Sequence, residues 1–99
     1  MQIFGQSFEF EWNEGNRDKN LLKHGVSNEE CEEVFFDPDK RFVQSGGHTS
    51  GEERLILIGK TKGERSLFVV FTMRAHKIRV ISARDLNRKE RRLYDEKES

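Results

Sequence analysis

Residues 79–92, RVISARDLNRKERR, combine a β-branched run with arginines at its end and along the segment that follows. Arginine binds phosphate oxygens through a planar fork of donors and stays charged at neutral pH. The spacing is therefore typical of two kinds of surface: a phosphate-binding site, or a solvated helix whose charges need no ligand. Four arginines are candidates for phosphate binding because they lie on or beside predicted strands that can bring them together: Arg54, Arg74, Arg79 and Arg84.

Charge is unevenly distributed along a chain that is neutral as a whole. The 99 residues contain 18 basic and 18 acidic side chains, for a formal net charge of +0. The segment from Ser27 to Asp39 carries only acids, whereas bases predominate between Arg74 and Arg92. The basic segment favours a polyanion as a partner on one face, and the acidic segment suits a basic partner on another.

The composition restricts the class of protein. The length suits one domain, residues 1–99, with a small core, because only 33% of the residues are hydrophobic. Cys31 is the single cysteine, which excludes an intramolecular disulfide and fits a cytoplasmic location. No apolar stretch approaches the ~20 residues of a membrane span, and the N-terminus lacks the segments of a signal peptide. Because neither metal-ligand spacing nor a nucleotide-binding glycine pattern is present, we expect no cofactor.

The first half of the chain predicts one strand followed by two helices. Residues 8–12 alternate apolar and acidic side chains, which is typical of a half-exposed strand. Asn13 is a suitable cap for a helix that runs to about His24. Ser27 and Glu30 have capping-box spacing for a second helix. Its buried stripe follows at helical spacing: Cys31, Val34 and Phe35.

The second half predicts three strands and a last helix. Residues 54–59 and 66–73 are nearly continuous apolar runs, and residues 77–83 form another β-branched run. Residues 41–44 are a further short strand candidate. Asn87 has cap spacing for a helix through about Glu96. Within the last strand, alternation places one set of side chains on the face opposite to Ile78 and Val80: Arg79, Ile81 and Ala83.

These elements predict an α+β fold with the main order β-α-α-β-β-β-α. An antiparallel sheet is expected, with helices that cover mainly one of its faces. The other face, or its edge, could then remain polar. That arrangement would leave a surface on which the strand arginines converge.

The ordered set of motifs resembles the BrnT toxin family. The segment FEWNEGNRDKNLLKHGVSNEECEEVFFDP is followed by EERLILIG, LFVVFT, IRVISAR and RKERRLYDE, so the resemblance covers residues 8–95. This sequence departs from the family pattern at Asn13, Asn28, Cys31 and Met73, where Asp, Phe, Ala and an acid are usual. The first three departures lie in the helical half and concern packing or capping, whereas the fourth removes one acid near Arg74.

The resemblance implies a RelE-like ribonuclease fold and a type II toxin–antitoxin system. It implies an RNA-cleaving toxin that arrests growth and is neutralised by a BrnA-like antitoxin. Such an antitoxin carries a ribbon-helix-helix domain, and operator DNA is bound only through it. The alternative is a non-catalytic module whose basic face binds nucleic acid or an acidic protein segment.

RNA cleavage without a metal uses the 2′-OH of the substrate as nucleophile. It needs a base, an acid and cations that stabilise the charge on phosphorus. Glu53 is the best candidate for the base, with Glu90 second, although Glu90 has the spacing of a capping-box acid. Tyr94 could donate a proton, stack on a nucleobase or anchor the last helix, and His48 is a further acid or base candidate.

The cationic candidates divide into two groups. Arg54, Arg79 and Arg84 are predicted to contact the scissile phosphate. The remaining candidates are predicted to attract the RNA backbone without selecting its sequence: Arg74, Lys77, Arg88, Arg91 and Arg92.

Overall fold

The computed structural model describes residues 2–3, 6–43, 48–49 and 52–95, with side chains described for residues 7–43 and 54–95. The helices of this part are α1 (Lys19–His24), α2 (Asn28–Glu33) and α3 (Arg88–Asp95), and a 3₁₀ turn (Val34–Phe36) extends α2. The strands are β1 (Gln2–Ile3), β2 (Gln6–Ser7), β3 (Glu9–Phe10), β4 (Arg41–Val43), β5 (His48–Thr49), β6 (Glu52–Glu53), β7 (Leu55–Lys60), β8 (Ser66–Arg74) and β9 (Lys77–Asp85). None of the described helices is long and apolar enough to cross a membrane.

Five strands form one mixed sheet in the order β3-β9-β8-β7-β4. Strands β4, β7, β8 and β9 pair antiparallel, but β3 runs parallel to β9, with Glu9 opposite Lys77. The α+β class is confirmed, whereas the prediction of a purely antiparallel sheet is wrong. Alternation along residues 8–12 predicts a strand but not its direction relative to β9. A short turn between two strands would imply antiparallel pairing, but β3 and β9 are far apart in the sequence.

Two buried asparagines continue the outer edge of β9 beyond the end of β3. Asn16 Nδ2 donates to the carbonyl oxygen of Val80 at 3.2 Å. Asn20 Oδ1 accepts from the backbone N–H of Ala83 at 3.0 Å. Buried backbone groups need such partners, so these side chains replace a longer edge strand.

The first helix begins at Lys19 and not at Asn13, so the predicted start is wrong. Asn13 Oδ1 accepts from the N–H of Gly15 at 2.9 Å, and the N–H of Asn13 donates to Asn16 Oδ1 at 2.8 Å. Asparagine side chains that bond to nearby backbone in this way stabilise a turn in competition with a helix. The end of the helix is as predicted, because Gly25 is left-handed with φ 68°.

One face of the sheet, called here the core face, packs against α1, α2 and the 3₁₀ turn. Its buried strand residues are Leu57, Leu67, Val69, Phe71, Ile78, Val80 and Ala83. The residues that face them come from the loop between α1 and α2 (Val26), from α2 (Cys31) and from the 3₁₀ turn (Val34 and Phe35). Ser27 and Glu30 form the predicted capping box at the start of α2. Both the capping box and the buried stripe of α2 are therefore confirmed.

A β-bulge decides which side chains of β9 face the core. The register between β8 and β9 shifts so that Ile81 has no direct partner on β8. Ala83 consequently returns to the core face with Val80 and is fully buried. The prediction that Ala83 shares the face of Arg79 is wrong, because alternation alone cannot reveal an inserted residue.

The opposite face of β8 and β9, called here the basic face, follows from the same register. Its cross-strand pairs are Phe68–Arg84, Val70–Ser82, Thr72–Arg79 and Arg74–Lys77. Helix α3 packs over one end of this face, where a second apolar cluster contains Ile58, Leu86 and Tyr94 with Val43 and Phe68. The other end, from Val70 to the β8–β9 turn, faces away from α1 and α2.

Candidate nucleic-acid interface

The β8–β9 hairpin brings basic side chains from two strands onto one surface. Directly opposed residues of an antiparallel pair have their Cβ atoms about 4.5–5.5 Å apart and on the same face. Arg74 and Lys77 are such a pair, and Arg79 lies opposite Thr72. Ala75 and His76 close the hairpin with φ angles of 46° and 67°.

Arg79 lies at the outer side of the basic face, against the turn of residues 13–16. A methyl group added at Gly15 would lie 3.0 Å from Arg79 Nη2. Arg79 is half-buried, and no ion pair joins it to any residue that the structure describes. Its fork of donors is therefore available to a phosphate.

Arg84, by contrast, is bound by a carboxylate of its own chain. Its Nη1 and Nη2 donate to Oε1 and Oε2 of Glu90, each at 2.8 Å. Its guanidinium also lies 4.1 Å above the centre of the Phe68 ring. This double hydrogen bond lowers the pKa of Glu90 and holds the pair ionised at neutral pH. A phosphate would have to displace Glu90 before it could bind both terminal nitrogens of Arg84 in the same end-on geometry.

Glu90 is at the same time the capping-box residue of α3. Its Oε1 accepts from the N–H of Asn87 at 3.0 Å, and Asn87 Oδ1 accepts from the N–H of Glu90 at 2.9 Å. The predicted cap is confirmed. One carboxylate thus links the end of β9 to the first turn of α3. Because both of its oxygens accept hydrogen bonds within the chain, Glu90 is a poor candidate for the base that the sequence offered as second choice.

Tyr94 is the buried residue of α3, and its side chain points towards the β4 edge of the sheet. Its hydroxyl donates to Asp37 Oδ2 at 2.7 Å, and burial together with this bond raises the pKa of Tyr94. Asp37 also accepts from the N–H groups of Asp39 and Lys60. Burial alone would raise the pKa of Asp37, but these hydrogen bonds outweigh it and lower that pKa. The arrangement anchors α3 to the loop before β4.

Two predicted site residues precede β7. Arg54 is exposed and comes directly before Leu55. Since Ile56 pairs with Val70 of the basic face, alternation along β7 places Arg54 on that face too. The backbone of Glu53 belongs to β6, which lies against β8, but the side chains of Glu53 and His48 lie outside the described residues.

The remaining basic candidates lie on α3 and point into solvent. Arg88, Arg91 and Arg92 are exposed. Asp85, which precedes α3, accepts from Arg65 at 2.7 Å, and this bond lowers the pKa of Asp85. Three exposed arginines suit long-range attraction of a nucleic-acid backbone, since their geometry selects no base.

Other catalytic chemistries find little support in the described residues. Cys31 is buried, and burial raises the pKa of its thiol to about 12, so it stays protonated at neutral pH. The described residues contain no cluster of three or more His, Cys, Asp or Glu side chains that could hold a metal ion.

Three contributors to this region were missed from the sequence: Gly15, Thr72 and Asp37. Thr72 is the one clear signal, because it is the polar residue inside the apolar run LFVVFTM. With a turn at Ala75 and His76, the hairpin register places Thr72 opposite Arg79. Gly15 and Asp37 act through loops, and no periodic pattern reveals such contacts.

Comparison with known proteins supports an assignment to one family. Comparison with curated proteins finds no match. Residues 12–90 match the family described as "Ribonuclease toxin, BrnT, of type II toxin-antitoxin system". This range contains α1, α2, four of the five strands of the main sheet (β4, β7, β8 and β9) and the Arg84–Glu90 pair. The chain therefore belongs to the BrnT family of ribonuclease toxins of type II toxin–antitoxin systems.

Proposed function

We propose that this chain is a RelE-like, metal-independent endoribonuclease whose RNA lies across the basic face. The observation that carries the proposal is the cross-strand arrangement of Arg74, Lys77 and Arg79 on the side of the sheet that faces away from α1 and α2. Such a surface can bind several phosphates of one strand. RNA, and not DNA, is the substrate because the proposed nucleophile is the 2′-OH.

The reaction is an intramolecular transesterification. The 2′-oxygen forms a bond to phosphorus as its proton passes to a base, and the bond from phosphorus to the 5′-oxygen breaks as that oxygen gains a proton from water. The products are a 2′,3′-cyclic phosphate and a free 5′-OH. Arg79 stabilises the additional negative charge on the phosphoryl oxygens, and Arg54 assists from the start of β7. Glu53 is proposed as the base, since β6 lies against β8.

Arg84 and Tyr94 receive a different role from the one that the sequence predicts. Both terminal nitrogens of Arg84 donate to Glu90, and the hydroxyl of Tyr94 donates to Asp37. We assign both residues to the positioning of α3. The exposed arginines of α3 then attract the RNA backbone: Arg88, Arg91 and Arg92.

The biological setting proposed is that of a cytoplasmic toxin that arrests growth. A BrnA-like antitoxin with a ribbon-helix-helix domain would neutralise it, and the complex would reach operator DNA through the antitoxin. Expression of the toxin alone should then stop growth, and co-expression of the antitoxin should restore it. Harmless expression of folded wild-type protein would argue against this setting.

The test of the activity uses purified, antitoxin-free protein in excess EDTA. We expect RNA to be cut to products with 2′,3′-cyclic phosphate ends, while DNA and 2′-O-methyl RNA of the same sequence stay intact. Cleavage of DNA, or activity that appears only after a divalent ion is added, would contradict the mechanism. If no RNA is cut with or without ribosomes, the chain is better explained as a non-catalytic binding module.

A further inference from the structure

Thr72 stands out on the basic face because its hydroxyl is buried and has no hydrogen-bond partner in the described part of the chain. Its side chain is 2% exposed, and its Oγ1 finds no hydrogen-bond partner among the described residues. Buried polar groups in folded proteins are nearly always hydrogen-bonded, so an unpaired hydroxyl needs an explanation. Thr72 lies directly opposite Arg79, on the same face of the sheet.

Arg79, the residue opposite Thr72, does not reach its hydroxyl in the position that the structure shows. The guanidinium of Arg79 leans outwards, away from β8, to the turn where a methyl at Gly15 would lie 3.0 Å from Nη2. A guanidinium turned inwards across the strand pair would reach the Thr72 hydroxyl, because cross-strand Cβ atoms are only about 5 Å apart. An inner position at Thr72 is therefore within reach of Arg79, in addition to the outer position at Gly15 that the structure shows.

We propose that Thr72 is a positioning residue that accepts a hydrogen bond from Arg79 in the inner position, where Arg79 holds the RNA phosphate. This inference rests on the proposed function. In the inner position the guanidinium lies over the middle of the basic face, between the two strands that carry the other basic side chains. The hydroxyl binds one donor of Arg79 and leaves the rest of the fork to the phosphate, which fixes its orientation.

The primary test is Thr72→Val, which removes the hydroxyl and keeps the shape. Single-turnover cleavage at saturating protein should fall about tenfold to a hundredfold, the usual weight of one hydrogen bond to a charged group. Thermal stability should stay the same or rise, because an unpaired buried hydroxyl has been removed. Thr72→Ser should restore most of the rate. A wild-type rate in Thr72→Val would overturn the proposal.

A double-mutant cycle tests whether Thr72 acts through Arg79. In an Arg79→Ala background, Thr72→Val should cause no further loss of rate. An equal loss in both backgrounds would overturn the proposed route. Thr61→Val is the matched control, since Thr61 is also buried but its Oγ1 accepts from the N–H of Arg65 at 3.0 Å. This control should lower stability and leave the rate unchanged.

Gly15→Ala tests the proposal by acting on the outer position of Arg79. The added methyl should disfavour the outer position, so the rate should be retained or increased. A large loss of rate in folded Gly15→Ala, with Thr72→Val unaffected, would show that the outer position is the active one and would overturn the proposal.

The failure of the proposed function is distinguishable from the failure of this inference. If wild-type protein binds 2′-O-methyl RNA but cleaves no RNA, the proposed catalytic function is wrong. The double-mutant cycle of Thr72 and Arg79 is then measured on the RNA dissociation constants instead of the cleavage rates. If Thr72→Val cleaves RNA at the wild-type rate, the ribonuclease function stands and only the proposed role of Thr72 is overturned. If wild-type protein binds no RNA, both proposals are overturned.

Discussion

Each end of the basic face carries an arginine, but the two arginines differ in their binding partners. At the α3 end, Arg84 is bound twice by Glu90 and lies over Phe68. At the hairpin end, Arg79 contacts a glycine turn and forms no ion pair with the described residues. The first arginine holds a helix in place, whereas the second keeps its donors for a ligand. A count of arginines therefore does not locate a phosphate site, and their partners must be known.

The largest expected effect separates these two arginines by rate. Arg79→Ala should lower single-turnover cleavage at saturating protein by about 10²–10³, the typical loss for one preorganised donor at a developing oxyanion. Folded Arg84→Ala should cleave at nearly the wild-type rate. Circular dichroism must show that both variants are folded. If Arg84→Ala loses the rate and Arg79→Ala keeps it, the division drawn between the two ends is reversed.

The second effect concerns stability. Arg84→Ala should lower the free energy of unfolding by about 1–3 kcal/mol, because it leaves the carboxylate of Glu90 without its charged partner. The side chain of Glu90 is only 13% exposed, whereas that of Arg84 is 36% exposed, so partial solvation keeps the loss below that of a buried pair. Urea denaturation measures it. A loss below about 0.3 kcal/mol would mean that solvent screens the pair completely.

The same pair predicts a pH dependence. Glu90 has a pKa below its ordinary value of 4.5, so its contribution is complete above that pH and is lost as the pH falls through the lowered pKa. Wild-type protein should therefore lose more stability on acidification below pH 4.5 than Glu90→Gln does. Parallel stability curves for the two proteins would contradict the assigned shift.

The third effect tests the two roles open to Tyr94. Tyr94→Phe removes the bond to Asp37 and should lower the free energy of unfolding by about 1 kcal/mol, with no loss of rate in the folded variant. Asp37 keeps its two backbone donors, from Asp39 and Lys60, which limits the cost. Loss of cleavage at unchanged stability would instead support the catalytic role that the sequence allowed.

The smallest effect concerns the exposed helix. Arg91→Ala should weaken RNA binding modestly and reduce the slope of log affinity against log salt concentration by up to about one unit. The matched control is Lys23→Ala, an exposed base on α1, a helix that contacts β9 through Asn20. Equal slopes for Arg91→Ala and wild type would remove α3 from the RNA path.

The sequence predicted most elements but not the contacts that give them function. Periodicity and capping signals located α2, α3 and the three long strands, because these depend on neighbours in the chain. The parallel pairing of β3 and the bulge at Ile81 depend on residues far apart or on one extra residue, so no local pattern shows them. Whether an arginine is bound by a carboxylate also depends on the tertiary structure. Arg79 and Arg84 lie in the same strand, and only the fold shows that Glu90 binds Arg84.

The most direct test of the account maps RNA binding on the wild-type protein. Amide chemical shifts are recorded by NMR while a short 2′-O-methyl RNA, which cannot be cleaved, is added. The account predicts that the largest changes fall on β8, β9 and the start of β7, around Arg79 and Arg54, with α2 unchanged. Changes concentrated on α2 and the 3₁₀ turn, with β8 and β9 unaffected, would contradict the claim that the basic face holds the RNA.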